Sequence, residues 1–295
     1  MARIEHKILV LGVTGMAGHL IALYLQEKGY IVTGFARKKI DCVDTIVGDI
    51  RDFVKLKKII NEGAYSVVIN AIGILNKAVD DNILDGILIN SYLPHYLADI
   101  TAHSATRIIH LSTDCVFSGA KGQYIESDIP DGESLYDITK HLGEIDDGKN
   151  LTFRNSIVGP DIKLDGTGLF NWFMQQNGTI EGYQNTYWSG VSTITLARAI
   201  DKAIQENLVG IYHLTNNRKI SKYSLLCLFN KICRGNTIEI LPEYDHFLDK
   251  SIVNTRKDFD FVVPNYLEMV IEIKMWIEHH GGVYPHYKKR GGCDE

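Results

Sequence analysis

A glycine-rich turn near the start of this 295-residue chain separates a short apolar run from an amphipathic stretch. Residues 6–11 read HKILVL, the turn runs as G-x-x-G-x-x-G from Gly12 to Gly18, and the amphipathic stretch covers residues 16–28. Continuous apolar runs are typical of buried parallel strands, and glycines let the backbone approach a pyrophosphate at a helix N-terminus. Because strand, turn and helix follow in this order, we predict a dinucleotide site here rather than a structural turn.

Strand and helix patterns alternate through the first half of the chain. We predict strands at residues 31–35, 67–70 and 107–112, and helices at residues 53–61 and 83–103. This alternation implies an α/β fold with a doubly wound parallel (Rossmann) sheet, whose ligand crevice lies at the carboxyl ends of the strands. After about residue 153 the alternation weakens, and helices return at residues 195–206 and 222–233. We therefore expect an NAD(P)-binding domain at residues 1–155. Residues 156–295 then form a smaller C-terminal substrate-binding lobe, interleaved with the last sheet strands.

Composition restricts the class of protein. The chain is 45% hydrophobic and 23% charged with a net charge of −5, which is typical of a soluble globular protein and lacks the basic surface of nucleic-acid binders. The basic cluster Lys288, Lys289 and Arg290 is interpreted as a solvated tail. Five cysteines, Cys293 among them, form no C-x-x-C motif, and no metal-ligand cluster is visible. With no signal peptide and no apolar run of ~20 residues, we expect a cytoplasmic enzyme that binds neither nucleic acid nor membrane.

Basic residues follow the second predicted strand, where an acidic residue would bind a ribose 2′-hydroxyl. Arg37 and Lys38 suit a 2′-phosphate instead, so NADPH is the predicted cofactor and NADH the alternative. A solvated basic loop is the other interpretation. Asp49, which precedes Ile50, is a candidate acceptor for the adenine amino group, although a helix-capping aspartate explains it nearly as well.

Tyr136 and Lys140 form a Tyr-x-x-x-Lys pair, which a helix places on one face about 6 Å apart. The ammonium group then lowers the pKa of the phenol, which becomes a usable proton donor near neutral pH. The spacing alone is common, but together with the glycine turn it predicts a nicotinamide-dependent carbonyl site. In the alternative interpretation the two residues are an exposed helical pair and Thr113 is a strand-end cap.

The glycine turn, the Ser/Thr segment and the Tyr-x-x-x-Lys pair together resemble the extended short-chain dehydrogenase/reductase family. Residues 70–73 (NAIG), 112–119 (STDCVFSG), 136–140 (YDITK) and 210–215 (GIYHLT) are similar to dTDP-4-dehydrorhamnose reductases, and the likeness extends to about residue 260. The resemblance implies NADPH-dependent reduction of a nucleotide-linked 4-keto-6-deoxy sugar, in deoxysugar and cell-surface polysaccharide biosynthesis. The oligomeric state, including a homodimer, stays open.

The resemblance also implies roles for individual residues. Tyr136 donates a proton to the ketone oxygen, Lys140 holds the nicotinamide ribose, and Thr113 hydrogen-bonds the developing alkoxide. The implied cofactor contacts, beyond the residues named above, are Gly12, Thr14, Gly15, Met16, Ala17, Gly18, Asn70, Ala71, Gly73 and Asn90. The implied substrate contacts are Thr113, Asp114, Cys115, Val116, Phe117, Arg154, Trp188 and Arg256. A mid-helix asparagine explains Asn90 nearly as well, and a surface arginine explains Arg256 equally well.

Cys115 departs from the family, which usually has tyrosine at this place. Cys115 follows Thr113 by two residues, and on an extended segment its thiol would point to the same side as the Thr113 hydroxyl. This resembles bifunctional epimerase-reductases such as GDP-L-fucose synthase, where a cysteine moves protons next to the ketone. Those enzymes need a second acid/base, and neither Lys163 nor Asp165 aligns with it. We therefore interpret Cys115 as a passive pocket residue, with a 3,5-epimerase/4-reductase as the alternative.

A second alternative is not an enzyme. The regulatory beta subunit of methionine adenosyltransferase resembles the same branch and acts as a binding partner. This chain keeps Thr113, Tyr136 and Lys140 together with the glycine turn, which favours catalysis.

Overall fold

The computed structural model describes residues 6–288, and strands from both halves of the chain build its central sheet. The strands are β1 (Lys7–Leu11), β2 (Ile31–Ala36), β3 (Thr45–Val47), β4 (Val67–Asn70), β5 (Arg107–Leu111), β6 (Leu151–Arg154), β7 (Ile157–Val158), β8 (Thr179–Tyr183), β9 (Thr186–Trp188), β10 (Val191–Ser192), β11 (Gly210–His213), β12 (Ile220–Ser221), β13 (Glu239–Glu243) and β14 (Leu248–Asp249). The α-helices are α1 (Met16–Glu27), α2 (Phe53–Gly63), α3 (Asn76–Asp81), α4 (Ile83–Gly86), α5 (Leu93–Thr101), α6 (Leu135–His141), α7 (Leu169–Met174), α8 (Thr193–Glu206), α9 (Lys222–Cys233), α10 (Tyr266–His279) and α11 (Pro285–Lys288).

The main sheet has the strand order β11-β6-β5-β4-β1-β2-β3, and each neighbouring pair is parallel. This is the predicted doubly wound α/β fold. The chain winds in opposite directions from β1 toward β2 and toward β4, so a ligand crevice opens above the carboxyl ends of β1 and β4. Strand β11 comes from the C-terminal half and pairs with β6, so the sheet extends past residue 155. The division into residues 1–155 and 156–295 remains a prediction.

Strand β1 is apolar throughout because both of its faces are buried. Ile8 and Val10 pack into a core shared with helices α1 and α8, whereas Leu9 and Leu11 pack into a second core with α2 and α5. All four side chains are fully buried. Successive side chains of a strand point to opposite faces, so a central strand between two helical layers reads as a continuous apolar run.

The prediction of a single helix at residues 83–103 is wrong in detail, because this stretch forms three consecutive helical segments. Between α4 and α5 lies a π-helical turn, Ile87–Tyr92. Pro94 lacks the N–H that would bond the carbonyl of Asn90, and Gly143 packs against that carbonyl so closely that an added Cβ would lie 1.9 Å from it. The helix therefore widens into a π-turn for two reasons: a backbone donor is missing, and the chain after α6 packs tightly against the Asn90 carbonyl. Such π-turns often occur at functional sites.

The C-terminal part of the chain adds small sheets beside the main one. Strands β12, β9 and β14 form one of them, and β7 pairs with β10 and β8 with β13. Within residues 6–288 no helix is both long and apolar enough to cross a bilayer. Lys289, Arg290 and Cys293 lie outside the described residues, so the solvated-tail interpretation stays a prediction.

Candidate active site

The glycine turn has the geometry of an anion-binding loop. Gly12 adopts a φ of 89°, in the left-handed region that favours glycine, and Gly15 donates its N–H to the Gly12 carbonyl at 2.9 Å. A Cβ on Gly18 would lie 2.2 Å from that same carbonyl oxygen, so no larger residue fits. Helix α1 begins at Met16 without a side-chain cap. The N–H groups of its first turn therefore suit a phosphate.

A cavity of about 240 Å³ lies beside this turn, at the reversal point of the sheet. It is lined by the predicted cofactor residues Gly12, Thr14, Gly15, Arg37, Asp49, Ile50, Ala71 and Gly73, together with Phe35, Ala36, Gly48, Arg51, Ile72, Ile74, Asp85, Ile89 and Lys163. The other predicted cofactor residues do not line this cavity: Met16, Ala17, Gly18, Lys38, Asn70, Asn90, Tyr136 and Lys140. A nucleotide fits this lining, because its phosphates can contact the glycines and cations while its flat nucleobase packs against the apolar residues.

The polar rim of the cavity contains an ion-pair network that the sequence did not predict. Arg51 pairs with Asp49 at 2.8 Å and with Asp85 at 3.4 Å. Hydrogen bonds from Arg51 lower the pKa of Asp49 to about 2, so this carboxylate is charged and already has a partner. Arg37 is exposed on the same rim, which is compatible with both the 2′-phosphate prediction and the solvated-loop alternative.

Lys163 also lines this cavity, and it lies close enough to His19 of α1 to lower the pKa of that histidine electrostatically. Asp165 lines a separate surface depression with Trp172. The two candidates for a second acid/base therefore lie at different places. Lys163 therefore adds a cation to the cavity lining, a placement that only the folded loop reveals.

Asn90 holds the loop behind the cavity. Its amide oxygen accepts from the Ile74 N–H at 2.9 Å, and its amide nitrogen donates to the Ile74 carbonyl at 3.0 Å and to Thr139 at 3.3 Å. The residue is fully buried. In this arrangement Asn90 positions the cavity wall, and its predicted direct contact with the cofactor stays untested.

A chain of buried polar groups joins the cavity to the Tyr-x-x-x-Lys helix. Ile72 lines the cavity and donates its N–H to the Asn70 amide oxygen at 3.2 Å, while the Asn70 amide nitrogen lies 3.1 Å from His110 Nδ1. Lys140 Nζ donates to the Leu111 carbonyl at 2.8 Å and lies 3.4 Å from His110 Nε2. Burial lowers the pKa of Lys140 to about 8. His110, which the sequence analysis missed, is the central group of this series of polar contacts.

Tyr136 and Lys140 are both buried on α6, so the interpretation as an exposed helical pair is wrong. Burial raises the pKa of Tyr136, and a hydrogen bond with Thr113 offsets this only in part. The expectation that Lys140 keeps this pKa low is therefore not met in this structure, because the lysine is turned toward β5. A phenol that stays protonated at neutral pH still suits a proton donor.

The Ser/Thr segment turns instead of continuing extended. Asp114–Val116 form a 3₁₀ helix capped by Thr113, whose hydroxyl accepts from the Cys115 N–H at 3.1 Å and donates to Asp114 at 3.2 Å. The extended geometry assumed for Cys115 is thus wrong. The thiol nonetheless lies near Tyr136, whose pKa it raises electrostatically. Burial raises the pKa of Cys115 itself to about 12.

Two lysines of the C-terminal part approach the same cluster, and the sequence analysis missed both. Lys250 pairs with Asp137 of α6 at 3.3 Å. Lys222 opens α9 and lowers the pKa of Asp114 electrostatically, although burial raises that pKa overall. Isolated lysines carry no spacing signal, so only the fold could reveal them. They place two positive charges next to the carboxyl groups of Asp114 and Asp137.

The structure does not bring every predicted substrate residue into the crevice. Val116 and Phe117 are fully buried in a small core with Tyr124 and Ile252. Trp188 is buried in the main core and packs against Tyr266, with ring centroids 5.6 Å apart. These positions are structural because their side chains have no open face toward a ligand.

Arg154 is buried in an ion pair instead of lining the crevice. Its guanidinium binds Glu144 with two hydrogen bonds, at 2.8 and 2.7 Å, and both side chains are 3% exposed. Burial alone would raise the pKa of Glu144, but the bonds from Arg154 and neighbouring side chains outweigh it and set the pKa at about 2. Arg154 therefore acts through its buried ion pair with Glu144, and it does not line the cavity.

Arg256 lies at the amino ends of the strands, opposite the crevice. Its guanidinium donates to the carbonyls of Val209 and Ile211, at 2.7 and 2.8 Å, and pairs with Asp258. Those carbonyls flank the amino end of β11, whereas the crevice lies at the carboxyl ends of parallel strands. The predicted contact with a substrate diphosphate is not compatible with this position.

Comparison with known proteins agrees with this geometry. The family model described as RmlD substrate binding domain matches residues 6–246. A dTDP-4-dehydrorhamnose reductase from Aggregatibacter actinomycetemcomitans is 27% identical over 253 residues, which cover 80% of this chain and 82% of that protein. The methionine adenosyltransferase 2 subunit beta of Xenopus laevis is 25% identical over 241 residues, covering 76% and 71% respectively.

Among solved structures, the dTDP-4-dehydrorhamnose reductase of Bacillus anthracis in complex with NADP has the same fold. It superposes with a TM-score of 0.79 at 18% identity, and the match covers 92% of this chain and 100% of that one. The family model spans most of the described residues, from β1 to the segment after β13. The chain therefore belongs to the RmlD substrate binding domain family.

Proposed function

We propose that this protein is an NADPH-dependent reductase that reduces the ketone of a nucleotide-linked 4-keto-6-deoxy sugar. The observation that carries the proposal is the series of polar contacts that starts at Ile72, which lines the dinucleotide cavity, and passes through Asn70 and His110. It ends at the buried Lys140 of α6, the helix that also carries Tyr136. A bound nicotinamide cofactor would supply the hydride.

The chain's own residues hold the cofactor and supply the proton. The glycine turn and α1 hold the pyrophosphate, and Lys163 adds a positive charge beside them. Arg37 recognises a 2′-phosphate, which favours NADPH over NADH. Tyr136, protonated because burial raises its pKa, donates its hydroxyl proton to the ketone oxygen. Thr113 hydrogen-bonds the same oxygen while negative charge develops on it.

Two lysines next to aspartates support the substrate class. Lys250 pairs directly with Asp137 at 3.3 Å and Lys222 lies near Asp114, so a hydroxyl-rich ligand such as a sugar nucleotide would find both donors and acceptors there. The reductase from Aggregatibacter, whose name states such a substrate, supports the same class.

The direct test is NADPH oxidation by the purified full-length protein with dTDP-, UDP- and GDP-linked 4-keto-6-deoxy sugars. We expect turnover with at least one nucleotide series, a lower rate with NADH, and a loss of roughly 100-fold or more in Tyr136→Phe. NADPH binding should survive this substitution. No oxidation with any of the sugars, or undiminished turnover of Tyr136→Phe, would overturn the proposal.

The epimerase-reductase alternative depends on Cys115. A thiol acts as a base through its thiolate, and burial raises the pKa of Cys115 to about 12, so this group is protonated at neutral pH. We therefore propose reduction alone. Turnover in heavy water tests this: deuterium at C3 or C5 of the product, lost in Cys115→Ser, would establish the epimerase.

A regulatory subunit is the second candidate function, favoured by the likeness to methionine adenosyltransferase 2 subunit beta. The name of that relative describes a subunit of another enzyme's complex. A pull-down with this chain as bait separates the two functions. A stoichiometric methionine adenosyltransferase catalytic subunit, together with no reductase activity, would favour the regulatory role.

A further inference from the structure

Three potential metal ligands meet at the far end of helix α1, away from the crevice. Glu27 is the last residue of α1, His279 is the last residue of α10, and His280 follows it. One ligand atom from each of the three side chains lies within 4.8 Å of the others. More than 250 residues separate the glutamate from the histidines, which is why the sequence shows no ligand spacing.

The ring of His280 is held in a fixed orientation. It stacks on the indole of Trp276 with ring centroids 3.9 Å apart, and its Nδ1 lies 3.0 Å from the Trp276 carbonyl oxygen. A carbonyl can only accept, so Nδ1 carries a hydrogen and Nε2 is the ring nitrogen that faces Glu27, at 2.6 Å. Metal-binding histidines typically have this arrangement, with one ring nitrogen donating to a carbonyl and the other directed at the ion.

We propose that Glu27, His279 and His280 form a binding site for a divalent late transition metal, with Zn²⁺ as the expected ion. Two imidazoles and one carboxylate are a donor set that zinc prefers, whereas Mg²⁺ and Ca²⁺ prefer oxygen ligands alone. The ion would lie between His280 Nε2 and the Glu27 carboxylate. Glu27 and His279 are exposed, so both can rotate to reach the ~2.0–2.2 Å bond lengths of zinc.

The site would act as a clamp between α1 and α10. Helix α1 also carries the glycine turn, about 17 Å from Glu27 at 1.5 Å per residue. Trp276 of α10 donates its indole N–H to the Tyr284 hydroxyl at 3.0 Å, and that hydroxyl lies 2.8 Å from His19 of α1. An ion that joins the ends of α1 and α10 therefore reinforces an existing connection, and it has no direct contact with the reacting groups.

The test uses tag-free, full-length protein stripped of metal by chelation. We expect calorimetric titration with ZnCl₂ to show one ion bound per chain, and thermal unfolding to shift upward with zinc but not with magnesium. Addition of cobalt should give the visible absorption of a low-coordinate site with nitrogen ligands. These readouts do not depend on reductase activity.

The matched variants are His279→Ala, His280→Ala and, as control, His246→Ala. His246 is also an exposed histidine paired with a glutamate, at 2.9 Å from Glu243, but it belongs to a pair instead of a triad. We expect each of the first two variants to weaken zinc affinity by about 10–100-fold or more, and the control to leave it unchanged. His279→Ala keeps the ion pair between Glu27 and His280, so its fold is preserved. No one-to-one binding in the unmodified chain, or equal affinity in all the variants, would overturn the proposal.

Discussion

Lys140 Nζ lies 3.4 Å from His110 Nε2, and it donates to the Leu111 carbonyl at 2.8 Å. The Asn70 amide group donates to the other ring nitrogen of His110, because its oxygen is already bonded to a backbone N–H. A neutral His110 ring therefore carries its hydrogen on Nε2, where it faces the lysine. A charged ammonium group has no lone pair that could accept that hydrogen, whereas a neutral amine has one. His110 thus favours the state in which Lys140 has lost its proton.

Replacing His110 by phenylalanine tests this coupling. The substitution removes a polar neighbour and leaves desolvation as the main influence on Lys140, whose pKa burial already lowers to about 8. Assuming the proposed reductase activity, we expect kcat/KM to fall by up to about 100-fold and the basic limb of its pH profile to move to higher pH, because the neighbour that favours the neutral amine is gone. His110→Asn, which keeps a polar group, should fall less. An unchanged pH profile in His110→Phe would show that the two residues are independent.

Lys140 should also reduce the stability of the protein at neutral pH. Its pKa is about 8 in the folded chain against 10.5 for the unperturbed group, so the unfolded state binds more protons between these values. Stability therefore rises with pH through this window, and the full cost of burying the charge is present below about pH 8. We expect Lys140→Met to raise the free energy of unfolding by roughly 1–3 kcal/mol near pH 7, with the difference vanishing by about pH 10.5. Urea unfolding at both pH values measures it, and a variant less stable than the parent near pH 7 would contradict it.

Arg154 and Glu144 should behave as a structural ion pair. Arg154→Met leaves a buried carboxylate without its main partner, and we expect a loss of about 3–5 kcal/mol in the free energy of unfolding. The pKa of Glu144 is lowered from 4.5 to about 2 in the folded chain. This contribution to stability is present above about pH 4.5 and disappears as the pH falls toward 2, so the variant and the parent should converge in acid.

The double variant Arg154→Met/Glu144→Met is the control for that experiment. Replacing both members of a buried pair by apolar residues of similar volume often restores stability, so we expect recovery of most of the loss. If Arg154→Met instead weakened substrate binding and left the unfolding free energy unchanged, the arginine would act on the substrate as the family resemblance implied.

The dinucleotide part of the site could be predicted because its signals are local. Gly12, Gly15 and Gly18 are adjacent to the strand and the helix that they join, so the order of residues already contains the geometry. The apolar run of β1 likewise reports burial on two faces. Such features depend on the neighbouring residues, and the sequence displays neighbours directly.

The other groups depend on contacts between distant parts of the chain. His110 is an inconspicuous residue in an apolar strand, and only the packing of α6 places Lys140 beside it. Arg256 and Arg154 were both assigned to the substrate, yet the fold places one at the amino edge of the sheet and buries the other against Glu144. A long cationic side chain reaches in any direction, so its role follows from its partner and not from its place in a motif.

Gly18 should be the most sensitive position of the turn. A Cβ there would lie 2.2 Å from the Gly12 carbonyl oxygen and 2.7 Å from its carbon, and both are backbone atoms that cannot rotate away. Gly18→Ala must therefore push α1 from the turn, at a cost of roughly 1–3 kcal/mol in unfolding free energy. Since the pyrophosphate depends on that close approach, we also expect NADPH affinity to fall more than tenfold.

Gly282→Ala is the matched control, because a Cβ at that position meets no atom within 4 Å. It adds the same methyl group to an exposed glycine outside the turn, and we expect both stability and NADPH affinity to stay close to those of the parent. Fluorescence titration with NADPH and urea unfolding measure the two quantities on the same samples. If Gly18→Ala bound NADPH as tightly as Gly282→Ala, the cofactor would not depend on the packing of α1 against Gly12, and the role assigned to this turn would be wrong.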